Sequence, residues 1–126
     1  MNSENTKKLY DDFPDLYKQH TWPMTQTCMC WNFECRDGWF QIIYDLSKAL
    51  TELNQGVEAV QVKEKFGTLR FYANGYSKDV EYLIDKACGL SAKTCEVCGT
   101  TEKVTRNDAD GYWIQTLCKK CRKENK

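Results

Sequence analysis

The 126-residue chain lacks an excess of charge of either sign, because 18 Lys and Arg balance 18 Asp and Glu. Without a net field the protein is not drawn as a whole to nucleic acid or to a membrane surface, so any electrostatic site must be local. It lacks an apolar run of about 18 residues, the length a bilayer-spanning helix needs. Residues 1–8 are polar and carry no signal-peptide-like apolar core, so the expected location is the cytoplasm, with no membrane partner. Histidine occurs once, at His20, and none of the seven glycines builds a phosphate-cradling loop. Nothing near His20 supplies a nucleophile elbow, an oxyanion turn or an orienting carboxylate at a recognisable spacing. The chain therefore reads as a non-enzyme, with no catalytic residue assigned. Internal repeats and low-complexity tracts are missing too.

Cysteine, in contrast, is plentiful, with eight in the chain. Two Cys-x-x-Cys pairs, Cys95/Cys98 and Cys118/Cys121, are separated by 19 residues. That is the spacing of a four-thiolate zinc site, in which each pair sets two sulfurs on one side of a knuckle and the intervening segment returns the chain to the ion. Four cysteines leave no open coordination position, so the expectation is one structural Zn²⁺ per chain, without a catalytic role. The even count also permits four disulfides, but a reducing cytosol favours metal. A thioredoxin-like redox pair would need one such motif at a helix start beside a strand, not two mutually spaced pairs.

A content of 41% hydrophobic and 13% aromatic residues allows a modest core. Residues 1–93 are expected to form it and residues 94–126 the metal module. Pro14 fits the first turn of a helix, with Leu9, Phe13, Leu16 and Tyr17 turned inward. A Trp- and Cys-rich irregular stretch follows. Asp37 is then a plausible N-cap for a helix whose stripe is Trp39, Ile42, Ile43, Leu46, Leu50 and Leu53, ending at residues 54–56. Over residues 57–74 the period changes to two, which predicts a hairpin with its turn near residues 64–67. A second helix, about 78–90, puts Val80, Leu83, Ile84 and Ala87 on one face, with Cys88 expected in the core. The predicted fold is α+β, a small antiparallel sheet packed by two helices, with a C-terminal treble-clef or zinc-ribbon module. In that module, residues 103–106 and 112–116 are the expected strands and residues 108–111 the turn between them. A helical tail favours the treble clef and an extended one the zinc ribbon.

The tail carries Lys119, Lys120, Arg122, Lys123 and Lys126. These cations suit nucleic acid, but they also offset the charge of about −2 on a four-thiolate zinc, and no aromatic stacking residues are interleaved with them. Cys28, Cys30 and Cys35 with His20 form a poorly spaced second metal set; such thiols also read as small buried hydrophobes beside tryptophans.

In the hairpin, Val60 and Val62 on one strand and Leu69 and Phe71 on the other are expected to face the core. Lys63, Lys65, Arg70 and Tyr72 then cluster on the outer face, with Phe66 at the turn. Like charges across a sheet repel. Either Glu58, Glu64, Asp79, Glu81 or Asp85 offsets them, or an anionic nucleotide-like ligand is gripped by the cations with an aromatic ring to stack on its base.

The string QVKEKFGTLRFY over residues 61–72, with FECRDGW at 33–39 and TCEVCG at 94–99, resembles a family of small phage and prophage proteins over residues 28–121. The resemblance implies a counter-defence protein of the host cytoplasm, acting by binding a host defence protein or by sequestering a nucleotide signal. The partners expected are thus an anionic small ligand at Lys63, Lys65, Phe66, Arg70 and Tyr72, or a host protein held by exposed aromatic anchors. Nucleic acid at the basic tail is the third reading.

Overall fold

Pro14 ends a helix rather than beginning one. In the computed structural model, which describes residues 1–107 and 114–124, α1 runs Ser3–Asp12 with Asn2 as its cap, the Asn2 side chain accepting the Asn5 N–H at 2.8 Å. Proline has no N–H to continue the ladder and biases its predecessor away from helix, so the helix stops before it. The inward set Leu9, Phe13, Leu16 and Tyr17 is nonetheless buried, as its spacing indicates.

Asp37 does not cap the second helix. A 3₁₀ turn, Asp37–Trp39, precedes α2 (Phe40–Glu52), whose cap position is Trp39. The Asp37 carboxylate instead accepts the backbone N–H of Asn2 at 2.8 Å and the side-chain amide of Asn5 at 3.1 Å, tying the start of α1 to the start of α2. Trp39, Ile43, Leu46 and Leu50 are buried, while Ile42 and Leu53 lie at the rim of the same cluster. On this face the Ser47 hydroxyl meets the Tyr17 hydroxyl at 2.6 Å and donates to the Ile43 carbonyl at 2.6 Å, so neither buried polar group is left unpaired.

The main sheet is mixed, not antiparallel throughout. Strands β2 (Glu58–Lys65) and β3 (Thr68–Asn74) form the hairpin, and β1 (Phe33–Glu34) joins β2 in parallel, with Phe33 beside Val62 and Glu34 beside Lys63. A parallel neighbour needs a crossover, and α2 supplies it between β1 and β2. Two residues are too few to display a strand period in sequence. A bulge between Ala59 and Gln61 shifts the parity of β2: Ala59 takes the core position expected of Val60, which is only partly buried. The Val60 carbonyl turns to the Cys28 N–H at 3.1 Å and the Thr27 hydroxyl at 3.2 Å. Beyond the bulge, Val62, Leu69 and Phe71 face the core as expected.

Ser77 caps α3 (Lys78–Ser91), which packs against β3 on one side and α2 on the other, burying Val80, Ile84 and Ala87. Cys88, expected in the core, is only half-buried. The last elements are β4 (Val104–Arg106), β5 (Thr116–Cys118) and α4 (Lys119–Glu124). The expected first strand matches β4 closely, whereas the second begins later than predicted and runs directly into Cys118. The expected turn at 108–111, Tyr112 and Lys126 lie outside the described residues. Among the described residues no helix is long and apolar enough to cross a membrane.

Candidate metal centre

The first knuckle is built by local backbone bonds. The Gly99 N–H donates to the Cys95 carbonyl at 2.9 Å, and the Cys95 N–H donates to the Thr100 carbonyl at 2.8 Å. Gly99 holds φ at +82°, a conformation that glycine takes without strain. The second pair straddles an element boundary, with Cys118 closing β5 and Cys121 in α4, its N–H 3.4 Å from the Cys118 sulfur. Pairing of Val104 with Cys118 and the Lys119 N–H on the Lys103 carbonyl at 3.0 Å bring this pair back to the knuckle.

The four sulfurs of Cys95, Cys98, Cys118 and Cys121 lie within 4.8 Å of one another and could hold one metal ion. A tetrahedral ion with bonds of about 2.3 Å implies sulfur–sulfur edges of about 3.8 Å; Cys98 and Cys118 are 3.7 Å apart. Ionisation points the same way. Burial opposes ionisation of Cys95, but the backbone N–H groups of Cys98, Cys118 and Val97 outweigh it and lower its thiol to about 7. Cys121 moves in the opposite direction, pushed up by burial and by the neighbouring sulfurs of Cys118, Cys98 and Cys95. Thiols packed this closely cannot all become thiolates without a cation among them.

Among the described residues the apolar contribution around this centre is small: Cys95, Leu117, Cys118 and Cys121 form their own cluster, with Val97 and Val104 at its edge. Backbone hydrogen bonds join it to the core. The Gly38 N–H donates to the Glu96 carbonyl at 2.7 Å, and the Trp39 indole N–H donates to the Thr94 carbonyl at 3.0 Å. Glu96 lies inside the knuckle, is buried, and accepts the Arg36 N–H at 3.1 Å. Burial raises its carboxyl above the usual range. Nothing in the sequence pattern singled out Glu96, since its role depends on a partner 60 residues away. Gly38 was equally silent, yet a Cβ there would sit 2.2 Å from the Cys95 carbonyl oxygen.

The same module grips the hairpin tip. Phe66 and Gly67 both have positive φ, +54° and +84°, the two-residue turn that matches strand twist. The Thr116 hydroxyl donates to the Gly67 carbonyl at 2.6 Å, Arg106 Nε to the Phe66 carbonyl at 2.9 Å, and the Glu64 carboxylate accepts the Gly67 N–H at 2.8 Å. Glu64 thereby caps the turn rather than offsetting the hairpin cations.

On the outer face the register sets Lys63 beside Arg70, Gln61 beside Tyr72 and Lys65 beside Thr68. Lys65, Phe66 and Tyr72 are exposed, and the Lys65 ammonium lies 5.5 Å from the Phe66 ring centre. Arg70 is half-buried rather than freely exposed, and its Nε is buried without a hydrogen-bond partner among the described residues. Glu58 is taken by Lys18 at 3.1 Å and Gln19 at 3.0 Å. Among the described residues no ion pair joins Lys63, Lys65 or Arg70 to a carboxylate. Glu34, beside Lys63 across the sheet, is the nearest acid in register.

The other candidates are dispersed. His20 stacks on Tyr10 with centroids 3.9 Å apart. Cys35 is buried, its thiol raised to about 12 chiefly by burial. Cys28 and Cys30 are half-buried. Lys119, Arg122 and Lys123 of the tail line a cleft of about 340 Å³ together with Lys103 beside β4, with Arg122 donating to the Thr105 and Gln115 carbonyls. No family model matches the chain, and neither a curated protein nor a solved structure matches it.

Proposed function

We propose that the protein is a non-catalytic binding protein, stabilised by one structural Zn²⁺ on Cys95, Cys98, Cys118 and Cys121, that captures an anionic nucleotide-like ligand on its outer hairpin face. Four soft thiolates in a closed set favour zinc over harder or open-site metals. The order of knuckle, hairpin and cysteine at a helix start supports a treble clef over a zinc ribbon. Carrying the ligand reading is one observation: Arg70 and Lys63 are side by side and unpaired with any carboxylate among the described residues. The guanidinium fork and the neighbouring ammonium are donors that an anion's oxygens would satisfy with charge-assisted hydrogen bonds. Lys65 and Tyr72 flank the pair, and Phe66 stands at the tip. The resemblance to small phage and prophage proteins extends the proposal to sequestration of a nucleotide signal in the host cytoplasm.

Calorimetry against nucleoside monophosphates and cyclic dinucleotides tests this. Arg70→Ala is expected to weaken binding by one to two decades, since a bidentate charge-assisted contact contributes roughly 1.5–3 kcal/mol. Lys63→Ala has a smaller effect because an ammonium lacks the planar fork. Absence of binding across the panel would overturn the ligand reading. The second reading, a host protein as partner, is favoured by the exposure of Phe66 (56%) and Tyr72 (44%) on and beside the turn. Binding to an oligonucleotide that falls steeply with salt and survives Arg70→Ala would instead assign the cleft at Lys119 and Arg122 to nucleic acid.

A further inference from the structure

A second cleft, of about 660 Å³, opens between α1 and the turn at Met29–Trp31; none of Lys63, Arg70 and Tyr72 lines it. Part of its wall is aromatic. Trp31 is 58% exposed, and Tyr10 and His20 are stacked at 14° between ring planes. Tyr10 also packs on Phe33 at 5.4 Å and on Tyr17 at 5.8 Å, so the stack is anchored in the core.

Asn32, also in the lining, has φ +60° and ψ −146°, a region that residues with a Cβ rarely occupy. Two bonds hold it there: its N–H donates to the Met29 carbonyl at 3.0 Å, and its side-chain oxygen accepts the Tyr10 hydroxyl at 2.6 Å. The amide is thus oriented with its oxygen occupied, while its Nδ2 has no partner among the described residues. A large exposed ring, an aromatic stack and, held by that stack's Tyr10, a backbone conformation that fixes one amide donor meet in one cleft.

The charge of the cleft selects the ligand class. Lys7 and Asp11 line it and are paired with each other, and the Met1 ammonium donates to the Cys35 carbonyl. The cations of the lining are thus partly neutralised or already hydrogen-bonded, which leaves the cleft a weaker phosphate site than the hairpin face, where Lys63 and Arg70 have no carboxylate partner among the described residues. A pyranose would need several planar amides or free carboxylates for its hydroxyls, and the one carboxylate here is committed to Lys7. What remains suits a flat, uncharged ring with an acceptor on its edge. We infer that this cleft binds the base of a nucleoside, lying against Trp31 and the Tyr10–His20 stack, with the Asn32 amide donating to a carbonyl oxygen or ring nitrogen of the base. Stacking on an exposed aromatic is sequence-tolerant, because every base has a π face; the single amide donor adds preference among bases.

Titration of the zinc-loaded protein with adenosine, guanosine, cytidine and uridine, followed by amide and indole NMR, tests the inference. Nucleosides carry no phosphate for Lys63 and Arg70, and the readout sits at Trp31 and Asn32, which line this cleft and not the hairpin face, so the two readings are tested separately. Shifts are expected at the Trp31 indole and the Asn32 side-chain amide, and Trp31→Ala should weaken binding at least about five-fold. Asn32→Gly should keep the fold, since glycine takes this backbone freely, while flattening the preference among the four nucleosides. No shift at Trp31 at millimolar nucleoside, equal shifts with methyl glucoside, or unchanged affinity in Trp31→Ala would overturn it.

Discussion

The core and the C-terminal module are held together by different forces. Around Trp39, Tyr17, Leu9 and Met29, the core buries large side chains completely and needs no ligand to do so. Among the described residues the module has four cysteines, one fully packed leucine and little else; a cluster that size offers little apolar burial against the chain entropy of ordering it, and under the proposed zinc reading the metal would supply the difference. Yet the two are not independent units. Gly38, Trp39 and Arg36 bond the knuckle, and Thr116 and Arg106 bond the hairpin turn. The four-cysteine module therefore fixes the tip of the hairpin, next to the residues proposed to bind ligand.

The largest effect expected is loss of the metal. Purified protein should carry one Zn²⁺ per chain by native mass spectrometry, and Cys98→Ser or a strong chelator should release it. Hydrogen exchange should then show protection lost over the module and at Phe66 and Gly67, with α2 and α3 still protected. Full protection of the module without metal would sink the assignment, and two ions per chain would overturn the reading of Cys28, Cys30 and Cys35.

A smaller break is made from the other side of the joint. Gly38→Ala drives a Cβ into knuckle backbone, with roughly 3 kcal/mol of destabilisation expected. Gly89, on α3, meets nothing within 4 Å, and Gly89→Ala should be neutral or stabilise by up to about 1 kcal/mol. Denaturant midpoints of the two variants separate steric contact from helix propensity; equal effects would mean that the Gly38 approach is not close.

The two regions should also fail at opposite ends of the pH scale. Cys35 has its pKa raised from 9.0 to about 12, so the folded state holds its proton more tightly than the unfolded chain does. That contribution is complete below pH 9 and is lost as pH rises toward 12, at up to about 1.4 kcal/mol per pH unit. Tyr17, raised by the same burial, adds to the loss at higher pH. With zinc bound as proposed, the module is expected to weaken in acid instead, because protons compete with the metal for thiolates. Thermal melts with metal quantified at each pH should show metal release on the acid side and core unfolding on the alkaline side. The mildest expected change is Thr116→Val, which removes the bond to the Gly67 carbonyl and should cost about 1 kcal/mol, with hairpin-turn exchange faster than wild type.

Much of this was legible in the chain, for reasons that vary with the feature. Helix α3 and the hairpin declare themselves through period, because burial on one face imposes 3.6 or 2 on the apolar positions. Pro14 misled because a proline fits the start of a helix and also forbids its continuation; which applies depended on Asn2 capping the helix before it. The Val60 parity failed at a bulge, where one inserted residue reverses every side chain on its far side. Arg70 is in the register expected of it, but its half-burial depends on neighbours that strand parity does not report.

The four clustered cysteines follow from sequence alone, since two Cys-x-x-Cys knuckles are local structures and a tetrahedral ion needs little beyond them. The hairpin and the two long helices follow as well, from periodicity. Only the tertiary structure decided that β1 runs parallel to β2, that Glu96 is buried to receive the Arg36 N–H, that Gly38 has no room for a Cβ, and that Trp31, Asn32 and the Tyr10–His20 stack share a cleft. Each of these depends on groups distant in sequence meeting in space, and no local propensity or spacing encodes such a meeting.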